Sequence, residues 1–133
     1  MIDIEPFIFT EIAVKLREKY PGIYVTGEYV NKPASFPTVA ITEEDNYINQ
    51  AAEDNSDMEN CASLTYDVNV YTNKVIGKKS QAREILKLID SELYKLNFTR
   101  IILTPVPNLN DTTIYRLTAR YVAVSDGNTM FRR

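Results

Sequence analysis

Cys61-Ala62-Ser63-Leu64-Thr65-Tyr66-Asp67-Val68-Asn69-Val70-Tyr71-Thr72-Asn73 alternates apolar and polar residues along its length. Leu64, Tyr66, Val68 and Val70 fall on one side, and Thr65, Asp67, Asn69 and Tyr71 on the other. Successive side chains of an extended chain point to opposite faces, so this stretch reads as a strand with one buried face. Downstream the period changes. Ala82, Ile85, Leu86, Ile89, Leu93 and Leu96 form a continuous stripe at helical spacing within residues 77–96, while Lys78, Lys79, Arg83, Lys87 and Lys95 lie elsewhere. Phe98–Thr104 and Thr112–Val124 then read as strands. They are joined by Pro105-Val106-Pro107-Asn108-Leu109-Asn110-Asp111, a run of turn residues that suggests a hairpin. In the last strand Tyr115, Leu117, Ala119, Tyr121 and Ala123 form the apolar face.

Upstream, Phe9, Ile12, Ala13, Leu16 and Tyr20 share a helical stripe over residues 6–20. Pro6 suits a first turn and Pro21-Gly22 a stop. Ile23–Val30, rich in Tyr, Val and Thr, and Phe36–Thr42, with Thr38-Val39-Ala40-Ile41 at its centre, read as strands. Residues 43–60 hold seven acids and no base, without apolar periodicity, and read as a long polar excursion between strands. Residues 125–133 read as a loose tail with a basic end, Arg132-Arg133. The expected architecture is one α+β domain over residues 1–133, in the order α-β-β-β-α-β-β. Its mostly antiparallel five-stranded sheet carries both helices on one face.

The chain of 133 residues has 18 acids, 15 bases, one cysteine and no histidine. Without histidine there is no Ser-His-Asp or Cys-His catalysis, no histidine-ligated zinc and no histidine pH switch. A single cysteine forms neither an internal disulfide nor a thiolate zinc cage, which favours intracellular assembly. The start, Met1-Ile2-Asp3-Ile4-Glu5-Pro6, lacks the basic region of a secretory signal, and no apolar run approaches the ~20 residues that cross a bilayer. The net charge of −3 divides unevenly, as −8 over residues 1–60 and +5 over residues 61–133. Such a chain is suited to present an acidic and a basic face, through which two copies attract head to tail.

Four features of the sequence bear on chemistry. Glu53-Asp54-Asn55-Ser56-Asp57-Met58-Glu59 offers oxygen ligands for a hard cation, but lacks the glycine and the distant glutamate of an EF-hand loop. No pair of acids sits in a recognisable catalytic frame, and Cys61 has no histidine to activate it, so no enzymatic activity and no cofactor are expected. Val75-Ile76-Gly77-Lys78-Lys79-Ser80 lacks the first glycine of a phosphate loop, Thr72 standing in its place, and reads as a basic helix start. Lys74, Lys78, Lys79, Arg83 and Lys87 are candidate phosphate contacts, but a pI near 5.0 argues against specific nucleic-acid binding. The fourth feature is the polar face of the long strands. Asp67, Asn69 and Tyr71 on one, and Arg116 and Arg120 on the other, form the candidate subunit or partner interface. Arg and Tyr are favoured at interface cores, and Ile114, Val122 and Ile101 or Ile102 make the face less polar than simple exposure requires.

Several phrases together resemble a family: Asn31-Lys32-Pro33 with Ser35-Phe36-Pro37, Glu59-Asn60-Cys61-Ala62 before Tyr66-Asp67-Val68-Asn69-Val70-Tyr71-Thr72-Asn73, and Phe98-Thr99-Arg100 before Pro105-Val106-Pro107-Asn108. Ile114-Tyr115-Arg116-Leu117-Thr118-Ala119-Arg120-Tyr121 completes them. The chain resembles, over nearly its whole length, the small tail-terminator or tail-completion proteins of long-tailed phages and prophages of Gram-positive bacteria. The resemblance implies a sheet packed by helices and a hexameric ring. That ring caps the tail tube and docks to the head completion protein, first in the host cytoplasm and then in the virion tail. It also implies that Glu43, Glu44, Asp45, Glu53, Asp54, Asp57 and Glu59 face the ring lumen or a neighbouring ring, where acids repel DNA phosphates. Head–tail connectors and minor capsid proteins share this size. A small protein-binding module using the sheet face is the remaining alternative.

Overall fold

A computed structural model of the chain describes residues 1–48, 61–107, 111–127 and 130–131. Two helices, α1 (Glu5–Lys19) and α2 (Lys78–Lys95), lie with the strands β1 (Tyr24–Thr26), β2 (Thr38–Ile48), β3 (Ala62–Thr72), β4 (Thr99–Val106), β5 (Tyr115–Ser125) and the short β6 (Met130–Phe131). The sheet order is β1-β2-β3-β5-β4, with β6 paired to β5. All pairings are antiparallel except β1 with β2. The expected α+β architecture is thus present.

β3 and β5 run centrally, matched residue for residue from Ala62↔Ser125 to Thr72↔Tyr115. Their apolar sides, Leu64, Tyr66, Val68 and Val70 with Leu117, Ala119, Tyr121 and Ala123, join Ile8, Ile12, Ala13 and Leu16 of α1 and Ala82, Ile85, Leu86, Ile89 and Leu93 of α2 in a single buried cluster. Both helices therefore cover one face of the sheet. Burying a Val, Leu or Ile side chain is worth ~1.5–3 kcal/mol, so this layer supplies most of the driving force for folding.

The helix ends follow local rules. Pro6 sits in the first turn of α1, where its missing N–H would have had no intrahelical partner. α2 starts at Gly77, whose φ of 87° is one that residues with a Cβ rarely adopt. It ends on Asn97 at φ 66°. There the Asn97 N–H donates to the Tyr94 carbonyl at 3.0 Å and the Phe98 N–H to that of Leu93 at 2.9 Å. This is the paired bonding of a Schellman end, with Leu93 and Phe98 both buried beneath it.

Three expectations are corrected. Residues 43–48 belong to β2 rather than to a loop; they pair with the first half of β3 through a bulge between Glu43 and Asp45. The bulge adds a residue and resets the period of two, which is why no alternation shows in the sequence. Ile23–Val30 shortens to the 3-residue β1, because the chain leaves the sheet at Gly27 and crosses over to begin β2. The supposed loose tail contains β6, with Met130 opposite Ser125 and Phe131 opposite Val124.

Candidate functional site

The five candidate interface residues lie on the sheet face away from the helices and meet as cross-strand neighbours. Asp67 stands opposite Arg120, Asn69 opposite Thr118, and Tyr71 opposite Arg116. The Asp67 carboxylate accepts from Arg120 Nε at 2.7 Å and Nη2 at 3.1 Å. Asn69 Oδ1 accepts from Arg116 Nε at 2.9 Å and from the Thr118 hydroxyl at 2.6 Å. The Arg116 guanidinium lies 5.6 Å from the centre of the Tyr71 ring. Five polar side chains, Asp67, Asn69, Arg116, Thr118 and Arg120, thus find partners among one another across a single ladder.

This face is less open than its composition suggests. The chain between β1 and β2 crosses it as far as β3, where the Tyr71 hydroxyl donates to the Val30 carbonyl at 3.0 Å. Tyr29 reaches back to donate to Glu44 Oε1 at 2.6 Å, and Pro33 is buried. Asn69 and Tyr71 are each only 3% exposed. They position the arginines and are not themselves contact surface. The Arg120 side chain keeps 43% of its exposure. The candidate interface is thus a partly covered face from which Arg116 and Arg120 emerge.

The acidic residues separate into two groups. Glu53, Asp54, Asp57 and Glu59 lie outside the described residues. Glu43, Glu44 and Asp45 lie on β2. Glu44 is held by Tyr29 and by Thr42, whose hydroxyl donates to Oε1 at 2.8 Å. Glu43 stands opposite Tyr66 and lines a cleft of about 390 Å³ together with Met1, Asp3, Glu5, Glu44, Asp45 and Asn46. Burial pushes the Glu43 carboxyl up to about 7; a hydrogen bond from Asn46 opposes the shift, and Glu5 and Asp3 add to it. Burial first, then these same acids, raises Tyr66 as well. Asp3 and Glu5 were not singled out from sequence. The signal was the alternation Ile2-Asp3-Ile4-Glu5, in which the two isoleucines are buried.

At the far side of the sheet, α2 leaves part of β4 and β5 uncovered. Leu86, Leu103 and Leu117 floor this groove, and Arg83, Lys87 and Arg100 surround it. Asp90 moderates its charge, 3.7 Å from Arg100 Nη1 and accepting from the Tyr121 hydroxyl at 2.8 Å. β4 is the outer strand here and exposes Ile101 and Ile102. Residues 1–48 carry eight acids and four bases, whereas residues 74–106 carry seven bases and three acids. The fold places these segments on opposite sides of β3 and β5.

What the described residues define is an α+β sheet with one partly covered polar face and two rims of opposite charge. No helix among them is long and apolar enough to cross a membrane. No known protein family matches the chain, and no curated protein is significantly similar to it.

Proposed function

We propose that this chain is a structural tail terminator of a phage or prophage. Copies would close into a hexameric ring that caps the last ring of the tail tube and offers a surface to the head completion protein. The reading assigns the chain no catalysis and no cofactor, and places it in the host cytoplasm during assembly and then in the virion tail.

The observation that supports this most is the separation of charge across the sheet. A head-to-tail contact joins two different patches of the same chain, and rings arise from such contacts when the rotation closes. An acidic rim at β2 and a basic rim at α2 and β4 suit that geometry, and like-charged rims disfavour the inverted pairing.

The test is negative-stain imaging of the purified chain, alone and mixed with tail tubes that lack a terminator. Rings at one end of each tube are expected. A chain that leaves the tube ends bare overturns the reading.

A further inference from the structure

The cleft between the start of α1 and the end of β2 holds more unsatisfied polarity than a solvated rim requires. Tyr66 is 1% exposed, yet its hydroxyl has no hydrogen-bond partner, and neither does the buried Oε1 of Glu43 opposite it. Tyr66 lies behind the lining of the cleft as the cross-strand partner of Glu43, and the carboxyls of Glu43, Glu5 and Asp3 all act on its hydroxyl. Leaving a buried acceptor without a donor costs ~1–3 kcal/mol. Such an arrangement is relieved by a group that brings positive charge and several N–H donors together.

A bare metal ion suits the cleft poorly, because no three acids among the described residues converge in a metal-holding group. A guanidinium is planar, carries five donors, and pairs with carboxylates while surrendering little hydration. The chain offers such groups on its opposite rim, where Arg83 and Lys87 are exposed on α2 and Arg100 is exposed on β4.

We propose that the Asp3–Glu5–Glu43–Asp45 cleft is the receptor for a basic side chain of a second copy of this chain, presented from the α2–β4 groove. The inference rests on the ring reading and specifies the contact that joins neighbouring subunits. Arg100 is the foremost donor, since it projects from the outer strand and its bond to Asp90 is long, at 3.7 Å. Exchange of Asp90 for the stronger acidic cleft of the neighbour releases Asp90 to its hydroxyl partner, Tyr121.

Sedimentation velocity over a concentration series tests this with two variants, each blinded at one rim: Glu5→Gln with Glu43→Gln, and Arg83→Ala with Lys87→Ala and Arg100→Ala. Asp45→Asn and Arg100→Glu, both at exposed positions, serve as second variants where folding is perturbed, with circular dichroism as the check. The expected result is that wild type self-associates, each blinded variant alone sediments as a monomer, and an equimolar mixture forms one-to-one dimers and nothing larger. Each partner in that mixture keeps the one intact rim the other needs. Wild-type assembly that survives in both blinded variants overturns the proposal. So does a mixture that stays monomeric, and so does wild type that never self-associates. Decoration of tail tubes by wild type is read separately. Its persistence with charge-insensitive association rejects this contact and leaves the terminator reading standing.

Discussion

Asp67 and Arg120 face each other across β3 and β5, the carboxylate accepting two guanidinium bonds at 2.7 and 3.1 Å. Side-by-side bonding of this kind fixes both side chains in one plane, and Asp67 is largely withdrawn from solvent, at 13% exposure. Because Arg120 remains part-exposed, a double-mutant cycle of Asp67→Ala and Arg120→Ala should give a coupling of only ~0.5–1.5 kcal/mol. Urea unfolding of the four chains measures it. A coupling near zero would show that the pair merely coincides in space.

Asn69 is the harder residue to replace. Its single side-chain oxygen accepts from both Arg116 and Thr118 while buried at 3% exposure. Asn69→Ala leaves two donors unpaired beneath the β1–β2 connection and should cost ~1–3 kcal/mol. Asn69→Asp, which keeps the acceptor, should recover part of that loss. Thermal unfolding of both variants at one pH decides this, and equal destabilisation would contradict it.

Glu43 makes stability depend on pH in an unusual direction for a carboxyl. With its folded value raised to about 7 from an ordinary 4.5, the native chain keeps a proton that the unfolded chain releases. This contribution to stability is full below the unfolded value and is lost as pH rises through about 7. Allowing for the solvent that still reaches the carboxyl, Glu43→Gln should stabilise the fold by ~1–2 kcal/mol at about pH 8. At about pH 4 the difference should vanish. Denaturant midpoints of both chains across this range test the sign. The same substitution is expected to weaken self-association, so stability and assembly should move in opposite directions.

Asn97 reports on the end of α2. At φ 66° a residue with an ordinary Cβ is strained, by roughly 1–2 kcal/mol, whereas glycine is not. Asn97→Ala should lower the melting temperature and Asn97→Gly should leave it within a degree or two of wild type. Equal losses in both variants would place the contribution in the asparagine side chain instead.

β3, α2 and β5 were legible because each keeps one period over its whole length. Leu64 to Val70 alternates without interruption, and Ala82 to Leu93 repeats at helical spacing. The second half of β2 was not, since its bulge breaks the alternation where the residues are also acidic. β1 was overextended because propensity in Ile23–Val30 takes no account of a chain that leaves the sheet at Gly27. At the candidate site, the shared face of Asp67, Asn69, Tyr71, Arg116 and Arg120 follows from strand periodicity alone. That Asp67 meets Arg120 rather than Arg116 is a matter of register between residues far apart in the chain. The covering of Tyr71 by the backbone at Val30 depends on the parallel placement of β1, for which no local pattern exists.

The bulge at Glu43–Asp45 acts as a phase shift in β2. With Glu44 as the extra residue, Asn46 stands opposite Leu64, and its Nδ2 donates to the Ile2 carbonyl at 2.7 Å. In an unbroken ladder Asp45 would take that position, and an ionised carboxylate has no hydrogen to give a carbonyl. Bulging Glu44 out of the ladder, and not pairing it, thus sets a donor against the first residues of the chain in place of an acceptor. Deleting Glu44 would instead close the bulge and still leave Asn46 opposite Leu64, so the tether to Ile2 would survive the loss of the residue that forms the bulge.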